Sequence, residues 1–261
     1  MRITLSASLL FISFLGACRK DSPQASPEGS KPDSVQGTEP AIPSPSNATG
    51  NALVPDSRTW VFVRTDSSLS VQASGTVIAM ESGGATKDDP EPGCESNEVV
   101  VPRSLVGGIA SWRSSSSGYC EGAAHPWAFS SFRTKILATD SSADLRRIFA
   151  ESDLLAALRR DGVVKKLSPT PPTSLTDIEN LNDSTCIMGF GSGMWTSFAF
   201  HHLQGDSVAV RIGLSHGCEV ARGSFTQLGI LLPVPPAWKE ALRAAERSGQ
   251  LMESLEKKHR D

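Results

Sequence analysis

Residues 197–214 read SFAFHHLQGDSVAVRIGL, and this stretch decides the fold class. Val208, Val210 and Ile212 alternate with Ala209, Arg211 and Gly213, the period of a strand with one buried face. Gly205-Asp206 separates this run from an apolar run before it, a two-residue hairpin signal. Strands are therefore expected over residues 197–203 and 207–214. His201 and His202 are neighbours in the first of them. A regular strand points them to opposite faces, so they are not expected to share a site.

Working outward, extended character recurs over residues 60–64, 71–80, 99–101, 105–113, 127–137, 185–190 and 225–232. In the 127–137 strand, Phe129, Phe132 and Ile136 are the expected buried members. Residues 114–118 (SSSSG) read as a polar turn. One segment changes period: Leu145, Ile148, Phe149, Leu154, Leu155 and Leu158 recur at three- and four-residue spacing. A central helix is expected there, with Ser142 as N-cap, Asp144 in its first turn and Gly162 as its stop. Residues 237–258 place Trp238, Leu242, Ala245, Met252 and Leu255 on one helical face, weakly interrupted by Gly249. Strands, helix, strands, helix gives an α+β fold: a mainly antiparallel sheet, one central helix packed on it, and a C-terminal amphipathic helix.

The N-terminus leads to the expectation of a domain outside the cytoplasm. Met1-Arg2 is a short positive start, and residues 3–15 are apolar and uncharged, too short to span a bilayer but suited to a signal peptide. The run ends Leu15-Gly16-Ala17-Cys18, which resembles the lipobox of bacterial lipoproteins. The resemblance implies removal of residues 1–17 and lipidation (diacylglyceryl, palmitate) of Cys18. It also implies a membrane partner held through that N-terminal lipid, since each buried methylene contributes roughly 0.8 kcal/mol. Arg19, rather than Asp, follows the cysteine and favours the outer membrane, facing the periplasm or the cell surface. Residues 18–57 are rich in Ser, Pro, Gly, Asn and Thr and read as a disordered tether. The expected organisation is 1–17 signal peptide, 18–57 tether, 58–236 α+β envelope domain and 237–261 C-terminal helix.

Composition narrows the function. The chain of 261 residues has a formal net charge of −3 with interspersed signs, and no basic block, so nucleic acid is not an expected partner. With Cys18 lipidated, Cys94, Cys120, Cys186 and Cys218 remain, an even count in an exported chain. Three pairings are open; Cys94 with Cys120 and Cys186 with Cys218 is favoured, because each pair lies within one half of the domain. No Cys-x-x-Cys or His-x-x-x-His spacing is present, so neither a metal nor a cofactor is expected.

Catalytic motifs were sought in the same residues. Ser192 lies in GFGSG, but Phe190 and Met194 stand where an esterase elbow needs glycine. His125 precedes Pro126 and reads as a turn residue. His216 is close to Cys218 and Glu219, a nucleophile-like neighbourhood, yet a disulfide would remove the thiolate. Trp112, Tyr119, Trp127 and Trp195 are the candidates for core or contact aromatics.

The stretch Tyr119-Cys120-Glu121-Gly122-Ala123-Ala124-His125-Pro126, followed by an aromatic strand, and Ser215-His216-Gly217-Cys218-Glu219-Val220-Ala221, after a hairpin, together carry a resemblance. Residues 99–232 resemble the extracytoplasmic domain of the lysozyme-sensing, RsiV-like anti-sigma factors, which also accompanies some peptidoglycan deacetylases. Three details depart from that pattern: a single glycine follows Glu121, Gly217-Cys218 replaces an aromatic, and no Pro-Tyr follows Ala221. The resemblance implies a non-catalytic envelope binding or sensing module for a lysozyme-like protein or peptidoglycan. Tyr119, His125, Trp127, His216 and Glu219 are its expected contacts. The alternatives are a secreted hydrolase acting on wall or lipid, and a structural lipoprotein that docks through the C-terminal helix.

Overall fold

The structure, a computed structural model, describes residues 52–64, 68–73, 76–82 and 93–258. The signal segment, Cys18 and the tether as far as residue 51 lie outside the described residues. The hairpin that decides the class is present: β8 (Phe198–Gln204) and β9 (Ser207–Ser215) pair antiparallel, with Gln204 opposite Ser207 across Gly205-Asp206. Gly205 has φ +62°, the left-handed geometry such a turn requires.

Among the described residues three antiparallel sheets carry the domain. The first contains β1 (Val61–Arg64), β2 (Ser68–Ala73) and β3 (Thr76–Ser82). The second is β4 (Cys94–Val106), β5 (Ile109–Cys120), β6 (Trp127–Ile136) and the two-residue β7 (Ser141–Ser142). The third joins β8 and β9 to β10 (Phe225–Pro233) in the order β10-β9-β8. The second sheet is buried on both faces over part of its length. Val100, Ala110 and Trp112 pack with Leu69 and Val71 of β2, while Ile109 joins Phe198, Phe200 and Ile212 of the third sheet.

The helical part corrects the expectation of one central helix. Ser141-Ser142 form β7, and the first helical turn (Leu145–Arg147) is capped by Asp144, whose carboxylate accepts from Arg146 N–H. Three short helices follow: α1 (Glu151–Leu158), α2 (Gly162–Leu167) and α3 (Leu175–Glu179). Gly162 begins α2 instead of ending a long helix, because Asp161 caps it through Val163 N–H at 2.8 Å and Val164 N–H at 3.1 Å. In α3, Ser174 and Asp177 form a reciprocal capping box. The Thr173 hydroxyl, with the amides of Thr173 and Ser174, holds the Asp177 carboxyl down at about 2.

The C-terminal segment is two helices, α4 (Lys239–Arg247) and α5 (Met252–Lys258). Gly249, at φ +67°, turns the chain between them. Their apolar face is covered by the domain itself: Trp238, Leu242, Ala245, Met252 and Leu255 are all buried. Arg103 of β4, little exposed, bonds Glu256 of α5 at 2.7 Å and pins the last helix down. The chain before β1 is tied in as well. Leu53 N–H donates to Arg147 O at 3.0 Å, and the Trp238 indole donates to Leu53 O at 3.1 Å. The ordered domain therefore begins several residues before 58.

Other strand boundaries moved for local reasons. Residues 114–118 run through the middle of β5, because their small side chains pair with β4 and β6 on both sides. Residues 185–190 form no strand. Asp183 gathers the Thr185 hydroxyl at 2.7 Å and Met188 N–H at 3.1 Å into a tight loop. The Thr185 hydroxyl bond lowers the Asp183 pKa and favours the charged acceptor that holds the loop.

Candidate functional site

The four domain cysteines form two disulfides, Cys94–Cys120 and Cys186–Cys218. The first joins directly opposite positions of β4 and β5, with Cα atoms 3.9 Å apart. The second fastens the Asp183 loop to the segment after β9, and Gly217 N–H donates to Cys186 O at 2.8 Å beside it. Cys186 has φ +57°, a conformation unfavourable for a residue with a Cβ and here tied by those bonds. Among the described residues no group of three metal-ligating side chains exists, and no helix is long and apolar enough to cross a membrane.

The two sequence segments, around 119–127 and around 216–222, meet at the free end of β6. The Arg222 guanidinium donates to Pro126 O at 2.9 Å and to Glu219 O at 3.1 Å. Gly223 N–H donates to Ala128 O at 3.0 Å, and the Ser215 hydroxyl to Ser130 O at 2.6 Å. Phe129 meets the His216 ring edge-on, with centroids 5.8 Å apart. Phe129 was expected in the core with Phe132. The period of two puts them on opposite faces, and Phe129 is 41% exposed.

The expected contact residues divide as follows. Trp127 is 41% exposed and lies across Gly118, its register partner. A Cβ at Gly118 would come within 2.7 Å of the indole, so this close approach requires glycine. Tyr119 follows Gly118 and therefore occupies the other face of the sheet, where its hydroxyl donates to Ala123 O at 3.3 Å. Tyr119 thus does not stand with Trp127. His125 is exposed on the β5–β6 turn, and Glu219 is exposed with its carboxylate 3.3 Å from Arg222 Nε. His216 is half buried, and its Nδ1 is buried without a hydrogen-bond partner. An unmet buried polar atom costs about 1–3 kcal/mol, which a ligand could relieve. Trp112 and Trp195 are core.

Sequence reasoning missed Phe129, Arg222 and Ser215 as members of this end. Phe129 was legible, since it lies two residues from Trp127 on the same face of one strand. Arg222 and Ser215 act through backbone carbonyls, which no side-chain pattern announces.

A cleft of about 450 Å³ opens beside this junction, lined by Phe129 and residues 131–135 of β6, by the glycine-rich loop at Gly189, Gly191 and Gly193, and by Gly213 and Ser215. A larger cleft, about 630 Å³, lies between residues 55–60 and α4. Neither cleft is lined by Tyr119, His125, Trp127, His216 or Glu219, and the charges of the larger one are matched internally: Arg58 bonds Asp56, and Arg247 bonds Glu240. The smaller cleft is the candidate site, because it adjoins Phe129, His216 and the two joined segments.

His201 and His202 depart from expectation. A β-bulge between Phe200 and His202 breaks the alternation, and their Nδ1 atoms come to 2.7 Å. Burial, then the nearby Arg211 and His202, depress the His201 pKa below 6.5. The pair lines neither cleft.

No known protein family, curated protein or solved structure matches the chain.

Proposed function

We propose that the chain is a non-catalytic binding or sensing module of the bacterial cell envelope, anchored through a lipid on Cys18 and reading a lysozyme-like protein or peptidoglycan. The observation that carries the reading is the junction at the end of β6. Two segments 96 residues apart are clamped by Arg222 on Pro126, and they present Trp127, Phe129 and His216 together. Exposed aromatics of this kind bury much area at small entropic cost when a partner arrives. The RsiV-like resemblance rests on these same two segments.

The rival readings have less support. A cysteine nucleophile beside His216 needs a thiolate, and the Cys218 sulfur is joined to Cys186. Docking through the C-terminal helix needs an open apolar face, and the Trp238 to Leu255 face is covered by the chain's own sheets. Calorimetry of the purified full chain against lysozymes and muropeptides tests the reading, with Trp127→Ala as the control. Binding that depends on Trp127 supports it, and absence of binding to both ligand classes overturns it.

A further inference from the structure

The open edge of β6 is the feature of the cleft that a side-chain inventory does not use. Along β6, the even-numbered residues turn their backbone groups away from β5. Ala128 O accepts from Gly223 N–H, Ser130 O from the Ser215 hydroxyl, and Thr134 O from Ala143 N–H. By the same alternation Phe132 turns its N–H and C=O outward, and Phe132 lines the cleft. Among the described residues the edge is thus closed above and below, and no backbone bond closes it at Phe132, itself 3% exposed, where the cleft stands.

We propose that this cleft accepts a short, extended, acidic polypeptide segment, which adds to the edge of β6 as a partial strand. Backbone groups in an open edge bind an incoming strand through main-chain hydrogen bonds, and the flanking walls select its side chains. Two observations choose the chemistry. Arg133 and Lys135 line the cleft on the odd-numbered face of β6, and no Asp or Glu is among its lining residues. Phe190 and Met194 of the facing segment supply an apolar wall, so an incoming strand that alternates acidic and apolar residues meets both surfaces. Lys135 is bonded at 2.7 Å to Asp140, which is 71% exposed. An exposed pair of that kind contributes little, so Lys135 can exchange it for a ligand carboxylate. The glycines of the facing loop keep that wall low: a Cβ at Gly191 or Gly193 would meet nothing within 4 Å. The edge of an L-strand pairs by handed geometry, which favours an all-L segment over a wall stem peptide containing D-residues.

This inference rests on the reading that ligands bind at this end of the domain. The test is calorimetry on the full chain with acetyl-Glu-Val-Glu-Val-Glu-amide, its all-D form and the Lys-for-Glu analogue, joined to amide NMR. The L-acidic peptide is expected to bind and to shift the Ser130 and Phe132 amides. The all-D and Lys peptides, and the Lys135→Glu variant with the L-acidic peptide, should each bind at least about tenfold more weakly. Equal binding of the L and D forms overturns the proposal, as does no binding of the L-acidic form. A disaccharide–tetrapeptide muropeptide that shifts the same amides more strongly overturns it in favour of a wall fragment. Trp127-dependent binding of lysozyme or muropeptide without peptide binding sinks only this inference; loss of both also sinks the proposed function.

Discussion

The Arg222 guanidinium donates to the carbonyl of Pro126 at 2.9 Å, and through that bond the end of β6 and the turn after β9 become one surface. The same side chain lies 3.3 Å from the Glu219 carboxylate. Charge-assisted bonds to carbonyls are stronger than neutral ones, so Arg222 is the clamp of the site.

Arg222→Ala is therefore expected to cost about 1–2 kcal/mol of stability. It should weaken ligand binding more than its stability effect would suggest, because it uncouples two halves of a surface. Denaturant unfolding and calorimetry on one sample separate the two effects. A stability loss with unchanged affinity would remove Arg222 from the site.

The Cys186–Cys218 disulfide closes a loop of about thirty residues, for which chain entropy gives roughly 3.7 kcal/mol. Replacing both cysteines with serine should lower Tm and release the Asp183 loop, read as faster amide exchange of Gly189 and Gly217. Peptide mapping without reductant should recover no free thiol from Cys94, Cys120, Cys186 or Cys218. Alkylated Cys218 from unreduced protein would reopen the nucleophile reading.

His201 sets an acid limit. Its pKa is depressed in the folded state by burial and by Arg211. Well above 6.5 both states are unprotonated there and the group contributes no difference. Below about 6.5 the unfolded chain takes up the proton first, so stability falls as pH drops through that value toward the folded pKa. Thermal melts between pH 7.5 and 5 should show this fall, and His201→Gln should flatten it. An unchanged slope in the variant would assign the effect elsewhere.

Cys18→Ala tests the anchor, which rests on Leu15-Gly16-Ala17-Cys18. The variant should leave the membrane fraction or accumulate unprocessed. Unchanged membrane attachment would refute lipidation at Cys18.

The sequence was most legible where one face is buried and a turn is short. The alternation of Val208, Val210 and Ile212 across Gly205-Asp206 located β8 and β9 to within a residue. It failed where polar chemistry overrides pattern. Asp144 caps a first helical turn and α1 starts again at Glu151, in a stretch whose leucines alone read as one helix, and beyond it Asp161 and Ser174 cap two further short helices. Four serines in β5 looked like a turn because what makes them a strand is backbone pairing with β4 and β6, which polar side chains do not announce. The His201–His202 contact depends on a bulge, and a bulge leaves no mark in hydrophobic period. At the site, Trp127 and His216 were legible as residue types, whereas their junction runs through the carbonyls of Pro126, Ala128 and Ser130 and was not.

The most direct measurement is calorimetric titration of the full chain with a lysozyme and with muropeptides, for wild type and Trp127→Ala. Wild type is expected to bind at least one of them without turnover, and Trp127→Ala to lose about 2 kcal/mol, roughly thirtyfold in affinity. Affinity unchanged by Trp127→Ala would contradict the site, and turnover of a wall or ester substrate that His216→Ala abolishes would contradict the non-catalytic function.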